Sequence, residues 1–491
     1  MQSMLFWQQS EPWKPRIYQK TAVKFLLEHA AAGLFLEPGL GKTSTTLAAI
    51  KFLKKRGVIN KVLIVAPLRV CYSVWPREIE KWDDFRDLTF TILHGPDKDA
   101  NLEKDVDIYL INPEGLDWLL QAKKTKTSTG KTKVDVDLKR WKKFGFDTLV
   151  PDELSKFKHT NTNRFKALKL VLHTFQRIWG LTGSPAANGL MDLFGQCYVL
   201  DQGRTLGQYI THFRMKYFDK GYDGYSWTLR DGSEAEIYKR LKPLVLSMKA
   251  EDHLDMPALV ENNILVDLPE SVMEIYEMLE EDLFAKIDDK IVVAANAAAA
   301  STKCRQVANG GIYIDPEVQA LVQLPKSKRD WVDLHTAKVD ALADLVEELQ
   351  GSPILVAYDF GHDLARIQEK FGKDVPYIGG GVTPKRSTQL EQMWNNKELP
   401  ILFGHPQSIG HGLNLQEAGN HVAWLSLTWN YELYDQFIRR VLRQGNEHKR
   451  VFVHHIIARG TIDHAILAAV KSKKNGQNAL FQALKGLRRR S

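Results

Sequence analysis

Between Leu34 and Lys51 this chain has few ways to fold. A short apolar run, Leu34-Phe35-Leu36, leads into Glu37-Pro38-Gly39-Leu40-Gly41-Lys42-Thr43, and a helical pattern runs from Ser44 to Lys51. Strand, glycine loop and helix in that order read as a phosphate-binding P-loop. Gly39 and Gly41 let the backbone approach a polyphosphate, and the N–H groups at the helix start point at the anion. Lys42 is placed to reach the β- and γ-phosphates of ATP, and Thr43 to hold Mg²⁺ through its hydroxyl. Leu36 stands where the long pattern G-x-x-x-x-G-K-[ST] wants glycine, so the shorter G-x-G-K-T form applies. A lone G-K-T also occurs in turns that open ordinary helices. The strand before it and the helix after it favour the nucleotide site.

The same alternation recurs along the chain. Strand-like runs fall at 34–36, 62–66, 108–111, 148–150 and 178–182, and again at 354–358, 401–404, 422–427 and 451–457. Nearly continuous apolar strands separated by helices imply parallel sheets covered on both faces. A chain of 491 residues exceeds one core. The expectation is therefore α/β, with two parallel-sheet lobes and a largely helical stretch between them, from about 194 to 338. The boundary is drawn at 1–255 and 256–491, with a helical protrusion over about 270–335. No second P-loop occurs, so the lobes are not equivalent nucleotide binders.

Composition narrows the partners. The net charge of +8 and pI near 9.0 favour an anionic partner, although a solvated surface can carry that excess. No apolar run approaches the roughly 20 residues of a membrane span. Cys71, Cys197 and Cys304 are too scattered for a disulfide framework or zinc site. No signal peptide is recognisable, and the chain reads as intracellular and cytoplasmic. Gln121 to Lys143 is rich in lysine and reads equally as a flexible solvated loop or a DNA-contacting one. The basic tail, Lys485 to Ser491, reads as frayed.

A second chemical site follows the strand Thr148-Leu149-Val150. Asp152 at a strand's carboxyl end can bind Mg²⁺, and Glu153 can orient and deprotonate a water. Gln436, Arg440 and Arg443 recur at spacings of four and three, which on a helix puts them on one face. Two guanidiniums there make sense opposite a polyphosphate.

With these motifs in order, the chain resembles the SNF2 family of DNA-dependent ATPases in helicase superfamily 2, in the minimal form often seen in bacteriophages. Tyr18-Gln19 resembles the adenine-reading element, with Gln19 contacting the base. Glu37 to Thr43 is motif I. Ile64 to Pro67 with Trp75, Glu78 and Trp82 resembles motif Ia, and Ile111 to Glu114 motif Ib. Asp152-Glu153 is motif II, and Leu181-Thr182-Gly183-Ser184-Pro185 with Asn188 is motif III. Ile354 to Tyr358 resembles motif IV, Gly410 to Leu415 motif V, and Trp429 to Gly445 motif VI. The resemblance implies two RecA-like lobes, with ATP closing the cleft between them. It implies arginine fingers at Arg440 and Arg443, ATP and Mg²⁺ as cofactors, and motion along DNA, duplex favoured, by a monomer.

The sequence departs from the family in places. Leu154 and Ser155 follow the acidic pair where relatives often carry Ala and His. Pro151 lacks a ladder N–H, so the strand should end or bulge there. Asn446 replaces the last glutamine of motif VI. The leading reading is an ATP-driven DNA translocase. The alternatives are a strand-separating DNA or RNA helicase, and a nucleic-acid-binding scaffold with weak or no ATPase. A small-molecule kinase is disfavoured by motifs III, V and VI.

Overall fold

The computed structural model describes residues 11–472 apart from 127–131, 184, 187–188, 222–226, 289–293, 315, 322–329 and 411. It describes no side chain between 282 and 300 or at 317, 320 and 321. The chain divides into two units, Met1–Ala186 with Leu190–Leu254, and Ala187–Gly189 with Asp255–Ser491.

In the first unit the apolar runs become strands because each is enclosed on both faces. The strands are β1 (Ala31–Leu36), β2 (Val62–Val65), β3 (Phe90–Ile92), β4 (Ile108–Ile111), β5 (Lys123–Lys126), β6 (Thr132–Asp135), β7 (Thr148–Pro151), β8 (Arg177–Thr182), β9 (Phe218–Lys220), β10 (Trp227–Leu229) and β11 (Val245–Met248). Every residue of β2, β4 and β7 is buried. Seven of these strands form one sheet in the order β11-β1-β8-β7-β2-β4-β3, with every pairing parallel. In such a sheet, ligands gather at the carboxyl ends of the strands. The P-loop leaves the end of β1, the acidic pair leaves the end of β7, and β8, ending in Thr182, lies between them.

Pro151 ends β7 without a bulge. Leu149 pairs with Ile178, and the isolated bridge from Asp152 to Leu181 keeps that register. The missing proline N–H falls between these two contacts, and Asp152 resumes the ladder by donating its N–H to Val65 O at 2.8 Å.

The second unit repeats the plan. Its strands are β12 (Ala258–Val266), β13 (Gly311–Tyr313), β14 (Trp331–Asp333), β15 (Ile354–Ala357), β16 (Tyr377–Ile378), β17 (Ile401–Gly404), β18 (His421–Trp424) and β19 (Arg450–Ala458). Six of them form a parallel sheet in the order β12-β19-β18-β15-β17-β16. The expected α/β class with two parallel sheets is what the chain adopts.

The stretch between the sheets is helical at Glu270–Asp288 and Ala294–Asn309. It also supplies the edge strands β11 and β12, which the apolar pattern does not reveal. A buried polar network ties the second of these helices to its sheet. Lys338 is fully enclosed, with Nζ 2.6 Å from Asp463 Oδ2 and 2.9 Å from Asn309 Oδ1. Asn309 in turn donates to Ser426 Oγ at 2.8 Å.

Cys71, Cys197 and Cys304 are buried thiols. Among the described residues, no helix is long and apolar enough to cross a membrane. The described residues of the lysine-rich segment, read either as a flexible loop or as a DNA-contacting one, form the antiparallel strand pair β5–β6 followed by the helix Leu138–Lys143. Lys131, Ser184, Asn188, His411 and the tail from Lys485 to Ser491 lie outside the described residues.

Candidate functional site

The P-loop backbone is set by its two glycines. Gly39 has φ +93° and Gly41 φ +71°, conformations that favour glycine. Space also demands it at Gly41, where a Cβ would lie 2.4 Å from Gln19 Nε2. Gln19 is buried, and its Oε1 accepts the Arg16 N–H at 2.9 Å. The carboxamide expected to read adenine thus rests directly on the phosphate loop. The helix Lys42–Lys55 starts at Gly41 and carries Thr43, half-buried, in its first turn. Lys42 Nζ donates to Leu36 O at 2.6 Å and to Glu37 O at 3.4 Å. Glu37 fastens the loop to the segment after β11: its carboxylate accepts Ala250 N–H at 2.9 Å, and its own N–H donates to Met248 O at 3.2 Å.

The acidic pair is held by three other motifs. Asp152 is a half-buried residue with an enclosed carboxyl, and Trp75 Nε1 donates to its Oδ2 at 2.9 Å. Burial pushes this carboxyl up to about 6. The Trp75 donor and the Lys42 charge pull it down, while Glu153 pushes it further up. Glu153 sits in the left-handed region with φ +73°, which costs a non-glycine residue roughly 1–3 kcal/mol. Three hydrogen bonds hold it there. Its N–H donates to Leu181 O at 2.9 Å, and its Oε1 accepts from Ser155 Oγ at 2.7 Å and from Thr182 Oγ1 at 3.3 Å. Ser155, at the position where relatives often carry His, therefore orients the candidate base directly. Motif III closes back on the P-loop, since a Cβ on Gly183 would lie 3.1 Å from Pro38 Cδ.

Among the described residues no cluster of three or more His, Cys, Asp or Glu could hold a metal. Beside the P-loop motif the candidates are instead the enclosed Asp152 carboxyl and the Thr43 hydroxyl. That sparse oxygen set suits Mg²⁺, which retains waters and takes phosphate oxygens in place of a full protein cage.

In the second unit the expectation of one helical face for motif VI is not met. The helix Tyr431–Ile438 is capped by Asn430, whose Oδ1 accepts Leu433 N–H at 3.3 Å, and it ends before either arginine. Only Gln436 is helical; it is buried, and a Cβ on Gly410 would lie 2.9 Å from its Oε1. Arg440 lies in the following turn and is buried. Its guanidinium donates to Gln436 O at 3.1 Å, Leu413 O at 3.0 Å and Gly410 O at 2.9 Å, and its own carbonyl accepts Leu415 N–H at 3.2 Å. These tertiary bonds turn the chain where the spacing alone suggests more helix. Arg440 is thus a clasp on the 410–415 loop. Arg443, half-buried, donates to Asn414 Oδ1 on the same loop. Asn446 donates to Gly419 O at 2.9 Å and Val441 O at 3.1 Å, closing the turn where relatives carry glutamine.

The role of Trp75 beside Asp152 is the main feature that sequence reasoning missed. Its membership of motif Ia is visible, but nothing local links it to an acid 77 positions away.

Comparison with known proteins follows this division of motifs. A family model described as SNF2-related domain matches residues 18–310, and one described as Helicase conserved C-terminal domain matches 337–445. Protein p41 of Acyrthosiphon pisum secondary endosymbiont phage 1 is 33% identical over 96% of this chain and 98% of that protein. YwqA of Bacillus subtilis (strain 168), a proposed ATP-dependent helicase/translocase, is 24% identical over 95% of this chain. The DNA annealing helicase and endonuclease ZRANB3 of Mus musculus is also 24% identical over 95% of it. The chain spans 49% of the Bacillus protein and 41% of the mouse protein.

Proposed function

This chain belongs to the SNF2 family of nucleic-acid-dependent ATPases, and from that premise we propose that it is a motor that spends ATP to move along duplex DNA. In this reading Gln19 reads the adenine. The N–H groups that open the helix Lys42–Lys55, together with Lys42, bind the β- and γ-phosphates. Thr43 and Asp152 hold Mg²⁺, which when bound neutralises charge developing on the phosphates. Glu153 takes the proton of the attacking water as general base. Arg443 is assigned the arginine-finger role on the likeness of its motif alone. Arg440 serves it by fixing the 410–415 loop, and Gln436 packs beneath that loop.

The observation that carries the motor reading is the contact of Thr182 with Glu153. A motif III hydroxyl on the candidate base gives a short route by which a DNA-dependent shift of β8's end could alter hydrolysis. The names of YwqA and ZRANB3, a helicase/translocase and a DNA annealing helicase, support DNA as the track. The modest basic balance supports an anionic partner.

The test is ATP hydrolysis without nucleic acid, then with single-stranded DNA, duplex DNA and RNA, each over a range of salt. Stimulation is expected to be greatest with duplex DNA and to fall as salt rises, because phosphate contacts release counterions. Turnover indifferent to every nucleic acid at low salt rejects the motor. Greatest stimulation by single strands favours strand separation instead.

A further inference from the structure

Nearly all of the chain's net charge lies in one segment. From Gln121 to Lys143 there are nine Lys and Arg against two Asp, a net +7 out of the chain's +8. Runs of like charge normally remain solvated and self-repelling. Here the described residues of the run are built into a hairpin and a helix, each with its own anchor.

The hairpin has two faces because strand side chains alternate. Lys124 is opposite Val134 and Lys126 opposite Thr132 on one face, with Lys123 opposite Asp135 and Thr125 opposite Lys133 on the other. The first face holds the hairpin to the body of the unit. Val134 is only 7% exposed and joins the core, and Lys166 Nζ donates to Thr132 O at 3.2 Å. Lys124 pairs with Asp117 just upstream. The opposite face is wholly exposed. The helix Leu138–Lys143 is pinned by Trp141, which is 3% exposed and donates to Thr174 Oγ1 at 2.9 Å. Lys139, Lys142 and Lys143 are left exposed.

The segment's own carboxylates do little to neutralise it. Asp135 pairs with Lys133 at 3.2 Å, and Asp137 is engaged as the helix cap, accepting Arg140 N–H at 3.0 Å. Holding like charges together on a fixed scaffold is unfavourable unless an anion offsets it. The exposed hairpin face bears Lys, Thr and Asp and no aromatic ring. Binders of single strands stack bases on exposed aromatics, so this face is suited to a phosphate backbone and not to bases.

We propose that the β5–β6 hairpin and the helix after it grip the phosphate backbone of duplex DNA, independently of sequence. This rests on the reading of the chain as a duplex-DNA motor. It adds to that reading a contact outside the motifs, carried by a segment that follows the carboxyl end of β4.

The test uses the full chain carrying Lys123→Gln, Lys133→Gln and Lys139→Gln together. Binding to a fluorescent duplex is measured from about 50 to 200 mM salt, a range over which phosphate contacts dominate the salt dependence. The slope of log affinity against log salt should flatten by up to about 2.7, at about 0.9 for each phosphate no longer neutralised. The corresponding Lys→Arg triple should keep the parent slope. A control triple at exposed lysines elsewhere in the unit, Lys220→Gln, Lys239→Gln and Lys242→Gln, should also keep it. An unchanged slope in the hairpin triple, or an equal flattening in the control, overturns the proposal. So does an equal flattening on single-stranded DNA. If duplex DNA fails to stimulate the parent ATPase, the motor reading itself fails. Normal stimulation with an unchanged hairpin slope removes only the grip.

Discussion

Trp75 and Asp152 meet through one hydrogen bond, from the indole Nε1 to Oδ2 at 2.9 Å. Trp75 is fully buried, so the donor is fixed in direction. Trp75→Phe keeps the ring in the core and deletes only the donor. A hydrogen bond to a charged group contributes about 1.5–3 kcal/mol, or roughly 10- to 100-fold. We expect turnover to fall within that range and the Mg²⁺ concentration needed for half-maximal rate to rise. A Mg²⁺ titration of the ATPase, paired with binding of a fluorescent ATP analogue at low and high Mg²⁺, checks both. Equal Mg²⁺ dependence in the variant and the parent would remove Trp75 from the site.

Ser155 and Thr182 both donate to Glu153 Oε1. Removing either hydroxyl, by Ser155→Ala or Thr182→Val, should slow hydrolysis by about tenfold per deleted bond, at roughly 1.4 kcal/mol each. Glu153→Gln should lose hydrolysis while still binding ATP, since the phosphate-binding groups remain. Single-turnover kinetics with a nucleotide-binding assay separates the two effects. If Thr182→Val has normal DNA-stimulated turnover, the route from motif III to the base is wrong.

Arg440 and Arg443 should separate experimentally. Arg440→Ala leaves the carbonyls of Gly410 and Leu413 without their donor inside the protein, at about 3 kcal/mol or more for the pair. In a unit of this size that is a fall of about 6–12 °C in thermal midpoint. Arg443→Ala should melt as the parent does and lose turnover by roughly 10³–10⁵ if it is the finger. Differential scanning calorimetry and ATPase rates on both variants decide. Equal melting with equal loss of rate would return Arg440 to a purely catalytic role.

Gly41→Ala is expected to be severe for two reasons, the φ of +71° and the approach of Gln19 Nε2 to the added Cβ. Lys42→Ala should weaken ATP binding without moving Gln19. Comparing ATP with GTP distinguishes them: only Gly41→Ala should lose base preference together with affinity.

Lys338 and Asp463 are buried together at 2.6 Å. Lys338→Met strands a buried carboxylate and should cost about 3–5 kcal/mol. Adding Asp463→Leu should restore most of that loss, and thermal melting of the single and double variants measures it.

The strands behind the candidate site were legible because they are central. β1, β2, β4, β7, β8 and β15 are apolar on both faces and follow one another as short runs. The edge strands were not. β12 has Glu261, Asn262 and Asn263 at its centre and is mostly exposed, so its sequence lacks the signature of a buried strand. Motif VI misled in the other direction. Its spacings of four and three are those of a helix, but the bonds from Arg440 to Leu413 and Gly410 are tertiary and leave no trace in local spacing. Motifs I and II were legible as a set of residues. Their mutual support, with Gln19 against Gly41 and Thr182 against Glu153, needed three dimensions.

The connection from Ile111 to Thr148 joins β4 to β7, strands separated in the sheet by β2. Such a crossover can lengthen or shorten without shifting any strand register, because loop length costs little once the ends are fixed. The basic hairpin sits wholly within it. If the hairpin grips DNA as proposed, substitutions at its exposed lysines change how firmly the molecule holds its track, while the buried Val134 and Trp141 keep the segment seated on the core and the strands bearing the P-loop and the acidic pair inherit no new constraint. On that proposal, the grip on DNA and the engine that hydrolyses ATP can change independently of each other.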